Sequence, residues 1–97
     1  MYRVDFLHIA DQDISEIFGS IKDMNEARVL LKKISKEIEK LMRDPYANRV
    51  YISLDSLSNE YRKISIEDYV FIYFVDAKDG VVYIARVIHR KIDYWSV

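Results

Sequence analysis

Apolar and polar positions alternate through Tyr2-Arg3-Val4-Asp5-Phe6-Leu7, the period of a strand with one buried face. From Asp11, whose carboxylate can accept backbone N–H bonds at a helix start, Ile14, Ile17, Phe18 and Ile21 recur at steps of three and four. That spacing predicts a helix of about three turns, weakened near its end by Gly19. A longer stripe follows in Ala27, Leu30, Leu31, Ile34, Ile38, Leu41 and Met42, with Lys32, Lys33, Lys36, Glu37 and Lys40 mostly elsewhere on the wheel. It predicts a long amphipathic helix capped by Asp23 or Asn25. Glu26 complements the positive end of the helix dipole and Lys40 and Arg43 the negative end, before Asp44-Pro45 stops it. So few residues separate the two helices that they are expected to pack as a hairpin.

The second half changes period. Val50-Tyr51-Ile52 is a candidate short strand, and Ser53 to Asn59 reads as a polar connection. Tyr61 to Ile66 is a strand candidate, and the apolar run Val70 to Val75 reads as a central strand buried on both faces. Asp76-Ala77-Lys78-Asp79-Gly80 is a turn whose glycine can take positive φ, and Val81 to Ile88 resumes the β-branched pattern, completing an antiparallel hairpin. The order strand, helix, helix, three strands predicts an α+β fold: one small, mainly antiparallel sheet with the helices on one face. Its other face and its edges would stay incompletely covered, ready places for a partner strand or helix.

Composition narrows the picture. At 97 residues the chain suits a single domain spanning 1–97, and 51% apolar with 32% charged residues describes a compact folded chain. No cysteine is present, which excludes disulfides, thiol nucleophiles and cysteine-based zinc sites and suits a reducing cytosol. No metal or cofactor is expected. Arg3, Asp5 and His8 interrupt the first apolar residues, and no run approaches the ~18 apolar residues of a membrane span, so a cytoplasmic protein is expected. A net charge of −1 argues against a globally basic nucleic-acid binder; any such face must be local.

The chemistry-bearing side chains are few. Arg86, His89, Arg90 and Lys91 form the densest late basic group. His89 and His8 lack a carboxylate at a diagnostic spacing, so each reads more readily as a hydrogen-bonding residue than as a general base. Arg62 and Arg86 have Glu60, Glu67 and Asp68 as candidate ion-pair partners across the sheet, and Tyr83, Tyr94 and Trp95 form an aromatic group able to cover the open sheet or receive a peptide.

Several local signatures resemble the RelE/ParE toxin superfamily. Tyr61-Arg62-Lys63, Asp68-Tyr69, Phe71-Ile72-Tyr73-Phe74-Val75 and Val82-Tyr83-Ile84-Ala85-Arg86-Val87-Ile88-His89-Arg90, with Asp93 just after, are similar to its two final strands and closing Arg-Val-Ile-His stretch. Asn25-Glu26-Ala27-Arg28 and Leu41 to Pro45 look like the ParE branch, while Met1 to Ile21 matches only in outline.

The resemblance implies a growth-inhibiting toxin of a plasmid-stabilising type II toxin–antitoxin system, held inactive by a cognate antitoxin. RelE-like members cut messenger RNA on the ribosome without a metal, and ParE-like members poison DNA gyrase. For a nuclease, the resemblance nominates Arg62, Arg86, Arg90 and Tyr94 as catalytic. For a protein target, it nominates His89, Arg90, Lys91 and Trp95 as contacts. RelE-type nucleases generally carry an arginine after the tyrosine where this chain has Val70, a departure shared with ParE-like chains. A third alternative is a non-toxic binding relative, with a homodimer built through the helical stripe.

Overall fold

The computed structural model describes residues 1–52 and 60–90, with the side chains of Tyr51 and Ile52 excepted. The elements run β1 (Arg3–Phe6), α1 (His8–Ser20), α2 (Met24–Arg43), β2 (Val50–Ile52), β3 (Tyr61–Ile66), β4 (Tyr69–Asp76) and β5 (Val81–His89). They build the expected α+β arrangement on a single sheet of order β1-β5-β4-β3-β2. The candidate strand at Val50–Ile52 joins the edge against β3, so the sheet has five strands. Ser53 to Asn59 lie outside the described residues.

Both helices pack on the same face. Ile14, Ile17 and Phe18 of α1 and Leu30, Ile34, Ile38 and Leu41 of α2 meet Ile64, Phe71, Tyr73, Val82, Ile84 and Val87 in one apolar cluster. Burying these side chains supplies the main driving force, at about 1.5–3 kcal/mol for each fully buried aliphatic or aromatic side chain. β4 is central as expected and its helix side is closed, whereas the opposite side is closed on this strand at Val70 alone. Phe71 and Tyr73 are buried, whereas Ile72 and Phe74, alternating onto the other side, stay partly accessible.

Two helix boundaries differ in detail. α1 begins one turn early, with Leu7 as its extended N-cap, so Asp11 lies within the first turn and caps nothing. Its carboxylate still favours the positive end of the dipole. At α2 the Asp23 carboxylate accepts the Asn25 N–H at 2.8 Å, making Asp23 the cap. Leu31 is 55% exposed and stands outside the core, because it lies on the flank of the helix, off the arc of buried Leu30, Ile34 and Leu41.

The register of β4 on β5 contains one irregularity that decides which side chains enter the core. Ile72 pairs with Arg86 and Tyr73 with Ile84, leaving Ala85 as the extra residue of a bulge. Ile84 and Val87 are three apart and would face opposite ways on a regular strand; the bulge lets both face the helices. At the far turn Gly80 takes φ +68, as a turn glycine should, and the Asp76 carboxylate accepts the Asp79 N–H at 3.1 Å.

Candidate functional site

The parallel partner of β5 is β1, and this pairing ends at Phe6 opposite Ile84. Beyond that point no strand of the described residues lies along that edge of β5, and α1 takes over. Asp13 accepts the Val87 N–H at 2.9 Å and two guanidinium donors of Arg86, at 2.8 and 3.2 Å. One carboxylate thus closes the edge and holds an arginine through charge-assisted bonds. The sequence offered a signal for this. Asp13 lies three residues after fully buried Ala10 and four before Ile17, inside the apolar stripe of α1, where a carboxylate requires a partner. The sequence suggests Glu60, Glu67 and Asp68 as partners of Arg86 across the sheet; the structure pairs it with Asp13, 73 residues away in the chain.

Next to this pair is a cleft of about 360 Å³, bordered by Asp13, Glu16, Tyr69, Arg86 and His89. The His89 imidazole meets the Tyr69 ring edge to face, with centroids 5.5 Å apart. Arg90 follows, its N–H donating to the Asp68 carbonyl at 2.8 Å and its guanidinium 4.0 Å from the Asp68 carboxylate. Lys91, Tyr94 and Trp95 lie outside the described residues.

Arg62 stands apart from this group. It pairs in register with Tyr73, one strand further from β5, and its guanidinium donates to the carbonyls of Asn48 at 2.6 Å and Tyr46 at 3.5 Å. It also pairs with Glu60 at 3.3 Å, as the sequence suggested, and lies 5.2 Å from the Tyr46 ring centroid, leaving its side chain 14% exposed. Tyr73 continues the same clamp: its hydroxyl donates to the Pro45 carbonyl at 2.7 Å and accepts from the Asn48 amide at 3.1 Å. Burial pushes the Tyr73 phenol up, against the opposing pull of Asn48 and Arg62. Together these bonds pin the segment after α2 to the sheet.

The nominated arginines therefore do not converge. Arg62 and Arg90 are separated by roughly 20 Å of sheet, from strand spacing and rise. On the sheet face away from the helices, Tyr61, Phe74 and Tyr83 form an aromatic row with centroids 5.6 and 5.4 Å apart, where the sequence suggested Tyr83 with Tyr94 and Trp95. Val70 sits on that face too, 1% exposed. Among the described residues no three His, Asp or Glu side chains gather as metal donors, and no helix is long and apolar enough to cross a membrane.

This fold, with two helices on a five-stranded sheet and an arginine-bearing last strand, is the fold of toxins from toxin–antitoxin systems. A metal-bound toxin from Helicobacter pylori superposes with a TM-score of 0.68 at 16% identity, covering 96% of this chain and 99% of that one. The chromosomal ParDE system of Pseudomonas aeruginosa contains a chain matching with a TM-score of 0.68 at 14% identity, covering 92% and 96%. One from the RelBE2 toxin–antitoxin complex of Mycobacterium tuberculosis matches with a TM-score of 0.65 at 22% identity, covering 92% and 91%. No curated protein matches at a significant level. Residues 4–94 match the family described as ParE toxin of type II toxin-antitoxin system, parDE, and the chain belongs to that family.

Proposed function

We propose that this toxin acts in the ParE manner, arresting growth by poisoning DNA gyrase, and that a cognate antitoxin neutralises it in the cytoplasm. The observation that carries the choice is the employment of Arg62. Metal-free RNA cleavage requires proton-transfer groups and a cation preorganised around one phosphate. Arg62 is instead spent on the Asn48 and Tyr46 carbonyls, Arg86 lies against Asp13, and buried Val70 occupies the place where an arginine would face a scissile phosphate. A protein target makes no such demand, and half-buried His89 at the end of β5 with exposed Arg90 after it offers such a target a contact surface.

The antitoxin reading draws on the relatives found as toxin–antitoxin complexes and on the half-covered sheet face, where Ile72, Phe74 and Tyr83 stay partly accessible. Residues 1–97 act as one domain in this proposal. The test is induced expression in a bacterium, scoring gyrase-dependent DNA breaks alongside ribosome-associated mRNA cleavage. Arrest with DNA breaks is expected. Arrest with mRNA cuts and intact DNA would replace this reading with the RelE-like one, and unimpaired growth with the non-toxic binding relative.

A further inference from the structure

The two helices carry opposite charge. α1 holds Asp11, Asp13 and Glu16 and no lysine or arginine, whereas α2 holds six cations against three acids. Those cations are ordered. Arg28, Lys32, Lys36 and Lys40 follow one another at four-residue steps, and Arg43 falls between Lys32 and Lys36 on the helical wheel, opposite the buried stripe of Leu30, Ile34 and Leu41. All five are exposed, and Glu39 is the single acid among them. Arg28, Lys32, Lys36 and Arg43 take part in no ion pair of the described residues, and Lys40 pairs with Glu37 at 3.2 Å.

Like charges at four-residue steps repel, each pair costing a helix about 0.2–0.5 kcal/mol. The ladder therefore works against the stability of the helix bearing it. We propose that this ridge of α2 docks on the backbone of duplex DNA, reading phosphate charge and not base sequence. A helix rises ~1.5 Å per residue, so the four-step ladder places a cation about every 6 Å over ~18 Å. A duplex carries one charge per ~1.7 Å of axis, so each cation has phosphates within reach. A protein partner fits less well, because protein interfaces centre on aromatic anchors and are depleted in lysine. The only large apolar side chain on the ridge is Val29. The acidic α1 orients the molecule, so that a polyanion meets α2 first. The surface is separate from the proposed target contact at the end of β5, and either assignment can fail without the other.

The test is fluorescence anisotropy of the full chain with a labelled duplex DNA and a single-stranded RNA of equal length, across a salt series. Lys32→Ala/Lys36→Ala is compared with Arg3→Ala/Lys78→Ala, which removes the same charge from β1 and the β4–β5 turn. Full contact gives a slope of log Kobs on log salt near −4 for duplex, from ~0.9 per phosphate neutralised. The α2 variant should lower that slope by nearly two while the distant variant leaves it almost unchanged. Binding to the single-stranded RNA as tight as to the duplex, or tighter, would overturn the assignment to duplex DNA. Absence of binding at low salt to both probes would overturn the proposal, as would equal losses in the two variants, the mark of net charge alone. So would self-association abolished by the α2 variant, the mark of a second copy docking its acidic α1 there.

Discussion

Asp13 and Arg86 join the first helix to the last strand, with carboxylate and guanidinium 2.8 Å apart across 73 residues of chain. The acid is the better shielded partner, its side chain 13% exposed against 46% for the arginine, and it alone also holds the Val87 N–H.

The two ends of that pair should differ in weight. Asp13→Ala strips a strand N–H of its acceptor and is expected to cost about 1–3 kcal/mol. Arg86→Ala removes an exposed ionic partner and should cost about 1 kcal/mol or less. Urea denaturation of both variants measures this, and equal losses would mean that the edge N–H is satisfied without Asp13.

Tyr73→Phe should cost about 1–2 kcal/mol through the lost bonds to Pro45 and Asn48. Its phenol is raised in the folded state, so its contribution is fully present below the unfolded phenol value of about 10 and is lost as pH rises through the folded value. Alkaline titration followed by circular dichroism should show a steep fall in wild-type stability above about pH 10 and a shallower fall in the variant. Parallel curves would remove Tyr73 as the cause.

Glu67 takes φ +57 at the tip of the β3–β4 turn, a left-handed conformation that costs a non-glycine residue about 1–2 kcal/mol. Its ion pair with Lys33 anchors the tip to α2, but both side chains are exposed, so the pair is worth about 1 kcal/mol at most. Glu67→Gly should therefore leave stability unchanged or raise it slightly, whereas Glu67→Val should lower it by more than 1 kcal/mol. Thermal melts decide, and a loss in Glu67→Gly greater than in Lys33→Ala would give the ion pair precedence over backbone strain.

Deleting Ala85 removes the bulge and forces Ile84 and Val87 toward opposite faces of β5. One of two fully packed side chains would leave the core, at about 2–5 kcal/mol, so the deletion variant should be largely unfolded or aggregated. Ala85→Gly keeps the extra residue and should stay folded. A soluble deletion variant with native circular dichroism would show that β5 can slip its register without penalty.

Much of the architecture was legible along the chain because its signals are local. Strand and helix periods, the Asp23 cap, the Gly80 turn and the identity of β4 as the central strand depend on residues within a few positions of one another. The misjudged points share one cause. Leu31 fits the helical stripe, but how wide an arc of that stripe is covered depends on the packing of the whole helix on the sheet. Asp11 fits a cap, but the entry of the chain from β1 starts α1 at His8.

The candidate site depended still more on long-range contacts. Arg62 read equally well as a nuclease residue or an ion-pair partner, and only the return of the segment after α2 onto β3 gave it the Asn48 and Tyr46 carbonyls. The sequence by itself determined element order, the buried face of each helix, the α+β class and the resemblance to toxins. The tertiary structure decided the parallel seat of β1 beside β5, the bulge at Ala85, the partner of Arg86 and the separation of the arginines. Periodicity is written within a turn or two of chain, whereas pairing and register follow from the joint burial of residues far apart in sequence.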